Sequence, residues 1–282
     1  MAPFVILLDI DGTIVGNVSP VVSEWELIQD NDKRKLKDFK KIVIKKLHDG
    51  LMRGHLADFC AMVSRHLNGG VEYFIYTASE PTWALFLVCC LEEATGIHFQ
   101  RPIFTRKHCL NRDGDLKKSI DSISPQIFKK IKTKYKDLKK VSQLKNRICL
   151  VDNNDVLIKN ERNRIIRCPT YEYTDVYDVF SRLDIDTFSH SDCNGIANQL
   201  SKYGLFPSGP LCKNAPLSFS AFRYYYYSRL CDNIKKCAKQ QDPHKDNFWI
   251  ALANAFCGEK IENFDSNTLR RIDVRMHNEI KR

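Results

Sequence analysis

Phe4-Val5-Ile6-Leu7-Leu8-Asp9-Ile10-Asp11-Gly12-Thr13 runs five apolar residues straight into two acids, a glycine and a hydroxyl. An unbroken apolar run of this length, bounded by polar turn residues, reads as a strand buried on both faces, the kind found in parallel sheets. In an open parallel sheet, ligands bind in the crevice beyond the carboxyl ends of the strands. Two carboxylates one residue apart at that place repel each other unless a cation holds them. Gly12 lets the chain turn sharply with no Cβ in the way. Taken singly, Asp-Gly-Thr after a strand is also an ordinary turn.

Working outward, Tyr73–Tyr76, Ile148–Val151 and Ile165–Cys168 read as further buried strands, and helical patterns lie between them. Leu56, Phe59, Cys60, Val63 and Leu67 share one helix face before Gly69-Gly70. Ser79-Glu80-Pro81 marks a helix entry and Gly96 its stop. Strands alternating with amphipathic helices predict an α/β fold, a parallel sheet flanked by helices, over about 170 residues. The strand ends carry the chemistry. Tyr73–Tyr76 delivers Thr77-Ala78-Ser79, a hydroxyl and backbone amides before a helix N-terminus, which make a natural phosphate cradle. Ile148–Val151 delivers Asp152-Asn153, oxygen donors suited to a hard cation such as Mg2+. Between them stands Lys117-Lys118, where one ammonium can neutralise a phosphoryl oxygen. Thr77 as a helix cap, Lys118 as a surface lysine and Asp152 as a turn acid are each innocent; all four pieces arriving in order, three of them at predicted strand ends, are not.

Asp-x-Asp-Gly-Thr, a strand-terminal Thr, a Lys and a strand ending in Asp resemble the four-motif order of the haloacid dehalogenase superfamily. Within it, the chain is similar to the NLI-interacting-factor-like phosphatases, the branch that acts on the RNA polymerase II C-terminal domain. Tyr76-Thr77-Ala78-Ser79, Met52-Arg53-Gly54 through Phe59, Lys118-Ser119-Ile120 and Val151-Asp152-Asn153 carry the likeness, which spans roughly residues 4–173. Gly12 stands where that branch usually has Glu, and the Lys-rich segment 14–51 matches poorly. The resemblance implies a Rossmannoid haloacid-dehalogenase sheet without a large cap. It also implies a Mg2+-dependent phosphoserine/phosphothreonine protein phosphatase that forms an aspartyl-phosphate. Asp9 would be the nucleophile and Asp11 the general acid and base, with Thr77 and Lys118 (or Lys117) steadying the transferred group. Gly12, Thr13, Ala78 and Ser79 would contact phosphate; Asp9, Asp11, Asp152 and Asn153 would hold Mg2+. The rivals are a phosphatase of small molecules or nucleic-acid ends, and a catalytically silent interaction protein.

The remaining 174–282 reads as a mostly helical extension, with helical spacing at Val176–Leu183, Ile196–Tyr203, Phe222–Cys237, Phe248–Phe256 and Leu269–Ile280. Whether it packs on the sheet is open at this level. The net charge of +10 sits almost wholly in the front: residues 1–169 hold 29 Lys and Arg against 20 Asp and Glu, and the remainder holds 15 against 14. Such a balance suits a phosphorylated peptide, with nucleic acid as the weaker alternative. For the cluster Lys129 to Arg147, a solvated helix face over a stripe of Ile127, Phe128, Ile131, Tyr135 and Leu138 is the plainer reading. Eleven cysteines, an odd number without Cys-x-x-Cys spacing, favour reduced thiols over a disulfide framework or zinc. No apolar run approaches the ~20 residues of a membrane span, and no signal-peptide pattern opens the chain. An intracellular protein, cytoplasmic or nuclear, is expected.

Overall fold

The opening apolar run is the central strand of a five-stranded parallel sheet. The structure is a computed structural model that describes residues 2–18, 21–22, 25, 33–112, 115–173 and 245–281. In chain order its elements are β1 (Phe4–Leu8), α1 (Lys33–Lys46), α2 (Leu56–His66), β2 (Val71–Tyr76), α3 (Pro81–Thr95), β3 (Gln100–Phe104), β4 (Leu110–Arg112), β5 (Asp115–Lys117), α4 (Ile120–Ile131), β6 (Ile148–Asp152), β7 (Ile165–Arg167), α5 (Phe248–Cys257) and α6 (Ser266–Ile280). The strand order is β3-β2-β1-β6-β7. Leu7 faces Phe74 on one side and Leu150 on the other. The order reverses between β1 and β6, so the loops leaving their carboxyl ends diverge and open a crevice there.

All five residues of β1 are buried, because both faces of the sheet are covered. Successive side chains alternate between faces. Val5 and Leu7 join Phe74, Tyr76 and Phe104 against Ile120, Ile123, Ile127 and Ile131 of α4. On the other face Phe4 meets Phe264 at 4.8 Å between ring centroids. There Phe59 of α2 meets Trp249 of α5 at 5.0 Å, and Phe256 at 5.9 Å. The last two helices are therefore part of the sheet's own cover. Burying these aromatics contributes far more than any propensity of two short helices, which alone would be marginal.

The chain divides into two compact units, Met1–Gly16, Met52–Tyr171 and His244–Arg282 in one, Asn17–Leu51 and Glu172–Pro243 in the other. In the second, Phe39 and Val43 of α1 are buried and Lys35, Lys37, Lys41 and Lys45 are exposed, so this lysine cluster is the solvated side of an amphipathic helix. Gly50, at φ 116°, turns the chain just after it. Three of the expected tail helices, Val176–Leu183, Ile196–Tyr203 and Phe222–Cys237, lie outside the described residues.

One expectation needs correction. The apolar stripe at 127–138 is real, but its helix stops at Ile131; Tyr135 and Leu138 reach the same cluster from turns. Lys129 and Lys130 are exposed, as a solvated face requires. The described cysteines are free thiols; Cys60, Cys90 and Cys149 are buried and Cys89, in α3, is exposed. Burial pushes the Cys149 thiol far above its ordinary range, which leaves it inert. Among the described residues, no helix is long and apolar enough to cross a membrane.

Candidate active site

β1 sets Asp9 one step past its last residue, and the Asp9 N–H continues the ladder by donating to the Val151 carbonyl at 3.0 Å. Asp152 ends the adjacent β6. Lys118 directly follows the β4–β5 hairpin, an element absent from the expectations above although Asp113-Gly114 separates its strands in the sequence. Its Nζ donates to Asp9 Oδ1 at 2.6 Å and to Asp152 Oδ2 at 2.7 Å, so segments from three parts of the chain meet at one ammonium. All three side chains are nearly out of solvent, at 2%, 8% and 1% exposure for Lys118, Asp9 and Asp152. Lys117 lies outside this group; it pairs loosely with Asp115 at 3.9 Å. The alternation of a short strand decides between the two lysines, since neighbours point to opposite sides.

Electrostatics follow from this burial. Burial lifts the Asp9 carboxyl to about 7; Lys118 opposes the rise, and Asp152 and Asp11 add to it. Burial also works against the Lys118 charge, but Asp9 and Asp152 outweigh it and hold the ammonium above the usual lysine value. Asp11 is raised as well, first by burial, against its hydrogen bond from Ser79 and the Lys118 charge. A buried carboxyl so placed is suited to carry a proton and give it up.

Asp11 belongs to a second half of the site. Ser79 Oγ donates to Asp11 Oδ2 in a short hydrogen bond, and Thr77 Oγ1 donates to Ser79 Oγ at 3.1 Å. The Ser79 N–H donates back to Thr77 Oγ1 at 3.1 Å. Thr77 is held in place by its own N–H on the Phe104 carbonyl at 2.9 Å. Ala78 offers its carbonyl to Arg106 Nε at 2.8 Å. Arg106 is exposed and its charge acts on Asp11, a neighbour that no spacing in the sequence revealed.

The other predicted contacts serve the turns. Thr13 Oγ1 accepts from the Asn153 N–H at 3.1 Å and donates to Asn153 Oδ1 at 3.3 Å, tying the loop after β1 to the loop after β6. Asn154 Nδ2 also donates to Asn153 Oδ1, at 3.0 Å. Asn153 Oδ1 thus accepts two hydrogen bonds, of which the one from Thr13 holds the loop after β6 against the loop after β1. Gly12 sits at φ +75°, and a Cβ there would fall 2.6 Å from Asn153 Nδ2. The glycine that departs from the branch pattern is thus required by this packing.

Three residues' worth of carboxylate around one buried ammonium leave a deficit of positive charge, and Asp11 Oδ1 is buried with no hydrogen-bond partner among the described residues. A hard divalent cation fits that deficit. Its donors here would be the Asp9 and Asp152 carboxylates and the Asp11 main-chain carbonyl, with waters and substrate completing the shell. Among the described residues no three His, Cys, Asp or Glu side chains form a ready-made metal cluster, and the Asp11 carboxylate is engaged by Ser79. Mg2+ commonly takes only one or two carboxylates.

Glu161 was also missed by the sequence reading. This carboxylate, 2% exposed, accepts from Ser119 Oγ at 3.1 Å, from the Ile120 N–H at 2.6 Å and from the Asp121 N–H at 3.1 Å. It thereby satisfies the amides at the start of α4, directly after Lys118, where the helix dipole favours an anion. Lys118 is also gripped on its main chain, its N–H on the Val156 carbonyl at 2.8 Å and its carbonyl on the Ile158 N–H at 3.1 Å. Glu161→Ala is expected to lower the unfolding free energy by about 1–3 kcal/mol, the cost of stranding buried donors. A urea titration that superimposes on wild type would show that these bonds carry no weight.

A family model described as NLI interacting factor-like phosphatase matches residues 4–183. No curated protein matches the chain. Among solved structures, Fcp1, described as an essential RNA polymerase II CTD phosphatase, shares 16% identity at a TM-score of 0.37, over 93% of this chain and 68% of that one. The fission yeast RNA polymerase II CTD phosphatase Fcp1 bound to beryllium fluoride shares 16% identity at a TM-score of 0.36, over 99% of this chain and 63% of that one. Likenesses this distant say nothing about the chemistry of individual residues.

Proposed function

The chain belongs to the NLI interacting factor-like phosphatase family, and from that premise we propose that it is a Mg2+-dependent phosphoserine/phosphothreonine protein phosphatase working through an aspartyl-phosphate. The observation that carries this reading is the buried Lys118 ammonium shared by Asp9 and Asp152, with Asp11 linked through Ser79 to Thr77.

In the proposed reaction an Asp9 carboxylate oxygen bonds to phosphorus as the bond from phosphorus to the seryl or threonyl oxygen breaks. The leaving oxygen takes its proton from Asp11. Water then attacks the phospho-aspartate and gives its proton to Asp11, and inorganic phosphate departs as the bond to Asp9 breaks. The carboxylate nucleophile divides one difficult displacement into two easier ones. An ammonium has three donors; Asp9 and Asp152 take two from Lys118, which leaves one for a phosphoryl oxygen. The Thr77 and Ser79 hydroxyls, which can turn from each other to substrate, and the Ala78 amide are suited to the other oxygens. Mg2+, when bound, would supply the charge neutralisation that phosphoryl transfer needs.

A protein substrate is favoured by the short span between Ser79 and Lys118. Its described residues hold α3, β3 and a small hairpin rather than a large cap. The test is a turnover panel of phosphoserine and phosphothreonine peptides, RNA polymerase II C-terminal-domain repeats included, beside phosphorylated metabolites and 5′-phosphorylated oligonucleotides. Peptide turnover is expected to require Mg2+, to stop with EDTA and to return with excess Mg2+. Faster hydrolysis of an oligonucleotide or metabolite would move the substrate class, and no Mg2+-dependent turnover of anything would end the enzyme reading.

A further inference from the structure

Arg53, singled out in the sequence within Met52-Arg53-Gly54, spends its side chain away from the carboxylates. Its Nε donates to Asp246 Oδ1 at 2.8 Å and its Nη2 to Asp246 Oδ2 at 2.9 Å, while Nη1 donates to the Pro169 carbonyl at 3.0 Å. This two-pronged pairing is the strong geometry for a guanidinium and a carboxylate. The guanidinium is 2% exposed, lies 4.3 Å from the Phe248 ring centroid and 5.4 Å from that of Tyr171. The Arg53 main chain grips the catalytic turn directly, its N–H donating to the Ile14 carbonyl at 2.8 Å.

The strap that Arg53 holds, residues 169–171, touches both acid-bearing loops. The Tyr171 N–H donates to the Gly12 carbonyl at 2.8 Å, between Asp11 and Thr13. Thr170 Oγ1 accepts from Asn153 Nδ2 at 3.2 Å, next to Asp152. A continuous set of contacts thus runs from Asp246, just ahead of α5, to the turns that present Asp11 and Asp152. Because arginine stays charged in a protein, a buried guanidinium deprived of its counter-ion must move toward water and release what it holds.

We propose that Asp246 is a positioning residue for the active site, acting through Arg53 and the 169–171 strap, so that the segment leading into the C-terminal helices governs turnover without touching substrate. The proposal rests on the phosphatase reading for its kinetic arm only. Full-length Asp246→Asn, Arg53→Lys, the double variant and Asp246→Glu are compared with wild type well below their melting temperatures. Asp246→Asn is expected to lose roughly tenfold to a hundredfold in kcat with KM little changed, as second-layer displacements do. Arg53→Lys, which keeps the charge but loses the fork, should match it, and the double variant should be no worse than either, the sign of one shared path. Asp246→Glu should recover part of the loss. By hydrogen exchange, peptides covering 10–15 and 168–171 should exchange faster in Asp246→Asn. Leu252→Ala, a core truncation in α5, should melt earlier while kcat and exchange at 10–15 stay as in wild type. Unchanged exchange at both segments in Asp246→Asn overturns the proposal whatever the kinetics show. A wild type without turnover would instead sink the phosphatase reading and leave the exchange result to decide this one.

Discussion

Asp9→Asn is expected to lose phosphopeptide turnover by roughly 10^4-fold or more, as removal of a nucleophile does, without unfolding the protein. The amide keeps the shape of the carboxylate, so Lys118 still has an oxygen to meet and Asp152 still neutralises it. The stability of this variant carries a sharper signature. In metal-free wild type the folded Asp9 carboxyl titrates at about 7 against an ordinary 3.8. The folded state therefore holds a proton that the unfolded chain releases, and its stability advantage is present at low pH and lost as pH rises through that window. Asparagine has no such proton to lose. In EDTA, the melting temperature of wild type relative to Asp9→Asn should accordingly fall between pH 4 and pH 7. Parallel melting curves across that range, or a variant that keeps a tenth of wild-type turnover, would remove Asp9 from the role assigned to it.

Lys118→Met, with Lys117→Met as its control, should have the next largest effect. Methionine fills much of the same volume but leaves Asp9 and Asp152 facing each other in a buried space with no cation between them. Breaking a buried pair from one side costs about 3–5 kcal/mol, and loss of a donor aimed at developing charge costs about 10^2- to 10^3-fold in kcat. Added Mg2+ should restore part of the melting temperature, because a cation again separates the carboxylates, but not the turnover. Lys117→Met removes only a partly exposed ammonium 3.9 Å from Asp115 and should stay within ~0.5 kcal/mol of wild type. Equal losses in the two variants would mean that the burial of Lys118 is irrelevant to the chemistry.

These two residues also show where sequence reading reaches its limit. The apolar run Phe4–Leu8, short and bounded by turn residues, reads as a strand buried on both faces, and its acids then lie at the carboxyl end, because run length and chain direction are properties of the string itself. The same holds for Thr77 after β2 and Asp152 at the end of β6. The choice between Lys117 and Lys118 is of another kind. It depends on which of two neighbours at the end of a three-residue strand faces inward, and the Asp113-Gly114 pair that separates the two strands in the sequence signals a hairpin without saying which lysine is enclosed.

Glu161, Arg106 and Asp246 lie further beyond reach. Each acts on a residue distant along the chain, and single acids or arginines in polar stretches carry no period that would distinguish a buried partner from a solvated surface charge. The sequence alone thus determined the parallel sheet, its central strand, the acids and hydroxyl at strand ends and a lysine pair between them in order, since local pattern suffices for those. Only the tertiary structure decided which lysine is enclosed, that the Asp11 carboxylate turns to Ser79, that the final helices cover the sheet, and that Asp246 ahead of them pairs with Arg53 beside the loop after β1. Those outcomes depend on burial and counter-charge supplied by residues far apart in the chain, and burial exists only once the chain has packed.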